Sequence, residues 1–229
     1  MKHHTVNSTI KYLSRVGLLT SFIVLSSSFT SEALAVPLTL KRQFFGNYGY
    51  VSTGGTLRTG SDASGNFCSV TNSNTAPLSG IPASASIEAA YLYWAGSGNT
   101  PDTTVTFAGQ TVNSDQMYTD TFALGSTTYR WFEGVADVTS IVTAQGNNNY
   151  TFADLSVSTG NPWCSVRGVL SGWSLIVVYE DATTATRPSA INLYDGFSVS
   201  RNASQDFTLS NIEVSNNPVS SFTSLIWEG

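Results

Sequence analysis

Histidine is all but missing from these 229 residues: the two present, His3 and His4, sit in the first four positions. Lysine is nearly as scarce, since Lys41 is the one lysine beyond residue 35. Cysteine occurs twice, as Cys68 and Cys164. Each shortage excludes something. With no imidazole past position 4, histidine-based acid-base work, histidine metal ligands and a Ser-His-Asp arrangement are all out of reach. With so few cations there is no basic patch for a nucleic-acid partner. No apolar run after the N-terminal segment is long enough to cross ~30 Å of hydrocarbon, so no membrane span is expected there.

The N-terminal segment itself has the order of a cleaved signal peptide over residues 1–35. Lys2, Lys11 and Arg15 make a positive start, Val16 to Leu25 an apolar stretch, and Ala33-Leu34-Ala35 a small-x-small cleavage site. The apolar stretch runs into Ser26-Ser27-Ser28, too early for a membrane anchor. The expectation is a secreted or cell-surface protein. Of 10 basic and 15 acidic residues, cleavage removes Lys2, Lys11, Arg15 and Glu32, leaving 7 against 14. An acidic, lysine-poor surface suits a protein kept soluble outside the cell by its charge.

What is abundant is Thr, Ser, Val, Tyr, Phe and Gly, the residues of strands and turns, with little of the mixture that builds helices. The most apolar run is Gly172 to Asp181. Trp173, Leu175, Val177 and Tyr179 alternate with Ser174, Ile176 and Val178, which predicts a strand buried on both faces. Ile87 to Ala95 is its expected neighbour, with Ile87, Ala89, Tyr91 and Tyr93 on one face and Ala90, Leu92 and Trp94 on the other. Further strands are expected at 43–52, 118–124, 128–135, 150–158, 189–200, 205–215 and 221–228, and a hairpin with Ala108-Gly109 at its tip. Residues 73–85 read as a turn-rich connection. One short helix is expected near 137–145, with Asp137 as N-cap, Val138, Ile141 and Val142 on one side, and Gly146 as its stop. This pattern predicts an all-β fold, a two-sheet antiparallel β-sandwich of jelly-roll type, as a single domain over 36–229. The regular short repeats of a parallel β-helix are not visible. The sequence stops inside a strand signal at Trp227-Glu228-Gly229, which predicts a domain truncated at its C-terminus.

In an oxidising compartment Cys68 and Cys164 are expected to form a disulfide, worth on the order of 4 to 5 kcal/mol for a loop of this size. Carboxylates are the remaining candidates for chemistry. They are scattered, and the expected role is solvated loop charge, so no catalytic residue and no enzyme activity is expected. Calcium is weighed at loops 61–66 and 98–102, where Asx turns are the favoured use of the acids, and no cofactor is expected. Exposed aromatics can stack sugar rings, which makes Trp131 and Trp163 the candidates for glycan stacking. Core or edge packing is the favoured role for both.

The blocks AAYLYWAGSG, TPDTTVTFAGQTV, FEGVADVTSIV, CSVRGVLSGWSLIVVYED, INLYDGF and IWEG, in that order, resemble the N-terminal β-rich domain of large secreted surface proteins of Gram-negative bacteria. Such proteins often continue into repeated Ig-like domains of unknown function. The resemblance implies a structural or adhesive surface module with no catalytic residues to carry over. Surface glycans or other surface proteins are the partners it implies, and a carbohydrate-binding module is the alternative. A histidine-free glycan hydrolase stands third, and it would need two carboxyls converging in one cleft.

Overall fold

The computed structural model describes residues 38–60, 67–181, 189–201, 205–210, 212 and 220–227, all within one compact unit. The expected signal peptide lies outside the described residues. The strands among them are β1 (Thr39–Gly46), β2 (Tyr48–Thr56), β3 (Ser73–Leu78), β4 (Ser86–Ser97), β5 (Thr104–Phe107), β6 (Gln110–Asn113), β7 (Gln116–Leu124), β8 (Thr127–Asp137), β9 (Asn148–Ala153), β10 (Ser171–Glu180) and β11 (Ser189–Asp195). The helix α1 spans Thr139–Gln145.

These strands form an all-β sandwich. A five-stranded sheet in the order β2-β10-β4-β8-β7 faces a four-stranded sheet in the order β3-β9-β5-β6, with every ladder antiparallel. The pairings are nested. β2 pairs with β10, β3 with β9, β4 with β8 and β5 with β6. One long antiparallel ribbon whose successive pairs alternate between two sheets is a jelly roll, and β7 adds a hairpin strand at one edge.

Nesting also makes connections run side by side. The link from β2 to β3, folded on itself by a bridge between Arg58 and Val70, lies beside the link from β9 to β10, to which the Cys68–Cys164 disulfide ties it. The link from β3 to β4 lies beside the one from β8 to β9, which contains α1, and Ile81 and Asn147 bond to each other across it.

The core between the sheets follows from strand alternation. Trp173, Leu175 and Val177 from β10 meet Leu92 and Trp94 from β4, Phe132 from β8, and Phe107, Tyr150 and Phe152 from the smaller sheet. Ile87 joins this side, against expectation, because the β4–β10 register slips where Val178 pairs with Ala89 and Tyr179 with Ile87. Glu88 is the extra residue, and passing it moves Ile87 to the opposite face.

Several expected boundaries move. The strand expected at 43–52 is two strands, β1 and β2, separated at Asn47. The supposed turn region contains β3, a polar edge strand in which Pro77 sits where no inner ladder needs its missing N–H. The N-cap of α1 is Val138; Asp137 stands one residue before it and accepts the Thr139 N–H. The described residues of 205–215 and 221–228 carry no strand. β1 and β11 pair only with each other, as a two-stranded ribbon. That ribbon packs on the outer face of the larger sheet through Phe44, Ile191 and Leu193, so the sandwich has a third layer.

Candidate functional site

The outer face of the five-stranded sheet is built from alternate residues of its strands. Tyr91 and Tyr93 come from β4, Tyr129, Trp131, Glu133 and Val135 from β8, and Ile176 and Val178 from β10. The β1–β11 ribbon covers part of this face, and residues 196–199 and 220–227 border the rest, leaving a cleft of about 2510 Å³.

Two carboxylates line that cleft, both nearly buried and each with its own partners: Glu133 is 5 % exposed and Asp195 4 %. Asp195 ends β11. Its Oδ1 accepts the Tyr93 hydroxyl at 2.7 Å and its Oδ2 accepts Lys41 Nζ at 2.6 Å. Lys41 also lies over the Tyr91 ring, 4.9 Å from its centroid. Glu133 has an indole instead of a cation, since Trp227 Nε1 donates to its Oε2 at 2.6 Å. Burial pushes the Glu133 carboxyl up to about 8; the Trp227 N–H opposes the rise and the Asp195 charge adds to it. Burial, then the charge and hydrogen bond of Asp195, hold the Tyr93 phenol far above its ordinary value. At neutral pH the face therefore keeps a proton on Glu133 and pairs Asp195 with a cation. These acids are not the solvated loop charges expected of them. Glu133 could have been found from sequence, because it interrupts the period-two apolar stripe Tyr129, Trp131, Val135.

The indoles of Trp131 and Trp163 are at the end of the same face, and they are not exposed platforms. They are 9 % and 7 % exposed, with Tyr129 6.0 and 6.4 Å from their rings and Leu170 and Phe197 in the same cluster. Trp131 Nε1 donates to Gly168 O at 2.8 Å and Trp163 Nε1 to Arg130 O at 3.2 Å. With ring faces covered and N–H groups satisfied, both serve packing, and the glycan-stacking role is corrected for them. Trp163 anchors the loop that carries its neighbour Cys164. Cys164 is bonded to Cys68, Cα atoms 5.2 Å apart, so the disulfide staples the two adjacent connections at this end of the jelly roll.

The candidate calcium loop 61–66 lies outside the described residues. In the loop 98–102, Asp102 is a brace: its carboxylate accepts the N–H groups of Thr104 and Ser156, and its carbonyl accepts Trp94 Nε1–H. Asp154 is similar, accepting from Asn72 and Thr106, whose hydrogen bonds hold its carboxyl below the usual range. Asp181, at the end of β10, is buried and accepts the Ser84 hydroxyl. No helix among the described residues is long and apolar enough to cross a membrane.

Residues 30–213 match a family model described as a protein of unknown function (DUF3344). No curated protein and no solved structure matches the chain.

Proposed function

The chain belongs to that family, and we propose that the protein is a non-enzymatic, exported cell-surface module with a structural or adhesive role. The observation that supports this most is the disulfide between the two connections at one end of the jelly roll. Such bonds persist in oxidising surroundings, and this one ties segments far apart in sequence, which favours a domain made to stay folded outside the cell. Protease shaving of intact cells making the full chain tests the location. The expected result is release of its peptides, with the cysteines oxidised; a protease-protected protein with free thiols overturns the reading. Loss of cell attachment to a glycan-coated or protein-coated surface on deletion of the gene tests the adhesive role.

A second reading, a carbohydrate-binding module, is favoured by the cleft itself. Tyr50, exposed at 36 %, and Phe45, at 58 %, line it with the polar atoms of Asn192 and Ser174 nearby. A glycan array distinguishes the two. Specific binding that is lost in Tyr50→Ala supports the binding module, and a blank array with intact attachment supports a protein partner.

A further inference from the structure

Lys41 is the one lysine beyond residue 35, and its strand is deformed at that residue. The β1–β11 ladder pairs Leu40 with Tyr194 and Arg42 with Leu193, so Lys41 is an extra residue with no partner opposite. In a regular strand residues 41 and 42 would point to opposite faces. The bulge lets both cations reach acids: Arg42 Nη2 lies 2.6 Å from Glu88 Oε1, and Lys41 Nζ lies 2.6 Å from Asp195 Oδ2. Re-aiming one side chain is what a bulge does.

The acid that Lys41 meets is unusual. The Asp195 side chain is 3 % exposed, its second oxygen takes the Tyr93 hydroxyl, and the surrounding face is made by Phe44, Tyr91, Val135 and Val178. Glu133 on the same face is likewise nearly buried, and burial holds its carboxyl above the ordinary value. The Lys41 side chain is 23 % exposed and that of Asp195 3 %, so the amine reaches a buried acid from the edge of the cleft. An amine held against a carboxylic acid by the fold needs no encounter step.

We propose that Lys41 and Asp195 condense to an intramolecular amide that covalently joins β1 to β11. The ammonium passes one proton to Oδ2, and the freed lone pair of Nζ attacks Asp195 Cγ. Negative charge collects on Oδ1, where Tyr93 already donates a hydrogen bond and stabilises it. The Cγ–Oδ2 bond then breaks as the nitrogen gives up a second proton, and the oxygen leaves as water. Ammonium plus carboxylate become amide plus one water, with nothing oxidised or reduced and no co-reactant. The cross-link would hold the third layer on the sheet. It does not depend on the adhesive reading, since it concerns only what the folded chain does to itself.

Trypsin supplies the test, because it cuts after a free lysine and not after an amide-blocked one. The full chain, folded by circular dichroism, is reduced at its disulfide, digested and weighed by mass spectrometry. The expected product is a branched species in which the peptide containing Lys41 is joined to the one containing Asp195, lighter than the two by one water. Lys41→Arg and Asp195→Ala are expected to lose it, and Tyr93→Phe to form it about a hundredfold more slowly. Complete cleavage after Lys41 in the folded wild-type chain, with no water lost from the intact mass, overturns the proposal. So does persistence of the branched species in Lys41→Arg.

Discussion

Trp94 and Gly134 face each other across the β4–β8 ladder, and the indole occupies the space a side chain at 134 would fill. A Cβ on Gly134 would come within 2.3 Å of the ring. The glycine thus lets a fully buried indole lie over β8 and donate Nε1–H to Asp102 O at 2.9 Å, tying the loop after β4 to the core.

Gly134→Ala is therefore expected to be strongly destabilising, by about 1 to 3 kcal/mol or more, the usual cost of overpacking a core. Chemical denaturation measures it. Because the clash is with one named ring, Trp94→Phe in the same chain should recover part of the loss; strictly additive effects would show that the two do not interact.

Reduction of Cys68–Cys164, 96 residues apart, should lower unfolding stability by about 4 to 5 kcal/mol in the chain-entropy account. Comparing urea midpoints with and without reductant reads this directly. Equal midpoints would mean that Trp163, Tyr129 and the neighbouring apolar residues hold the two connections without help.

Glu133 gives a pH dependence with a definite sign. Its carboxyl is raised from the ordinary 4.5 to about 8 by burial, so the folded state prefers the protonated form. The stability this confers is full below the unfolded value and is lost as pH rises towards and through 8. At ~1.4 kcal/mol per pH unit the full loss is on the order of 5 kcal/mol. Glu133→Gln keeps an oxygen for the Trp227 N–H and cannot ionise. Unfolding free energies measured at about pH 5 and about pH 8 should fall in the wild type and stay level at this position in the variant. A wild-type profile that is flat, or rises, contradicts the assignment.

Asn147 and Ile81 exchange two hydrogen bonds: Asn147 Oδ1 accepts the Ile81 N–H at 3.1 Å and Asn147 Nδ2 donates to Ile81 O at 2.8 Å. Asn147→Ala should cost about 1 to 2 kcal/mol, because it removes the partners of the backbone N–H and C=O of the buried Ile81 while Asn147 itself is exposed. Faster amide exchange at Ile81 would localise the effect to this pair of connections.

Much of this architecture could be read from residue order. β10 and β4 were legible because their apolar residues alternate over eight or more positions, and the β5–β6 hairpin because Gly109 suits the positive φ of 76° its turn requires, although Ala108 also takes a positive φ of 51°, which a residue with a Cβ disfavours. β3 was not legible, since Ser73-Asn74-Thr75 and Pro77 look like a turn and only an edge position makes them a strand. The bulges at Lys41 and Glu88 leave no local signal either. Each is one residue more than its partner strand can match, a property of two segments and not of one.

By itself, the sequence determined the fold class, the two-sided central strand and the short helix, because period, propensity and turn chemistry act over a few neighbouring residues. Only the tertiary structure decided that a third layer covers the outer face, that Asp195 is buried, and that Lys41 meets Asp195. It also decided that the connections bearing Cys68 and Cys164 run side by side. The physical reason is shared by all four. Burial and pairing depend on which segments the nested ribbon brings together over more than ninety residues, and no local pattern carries that distance.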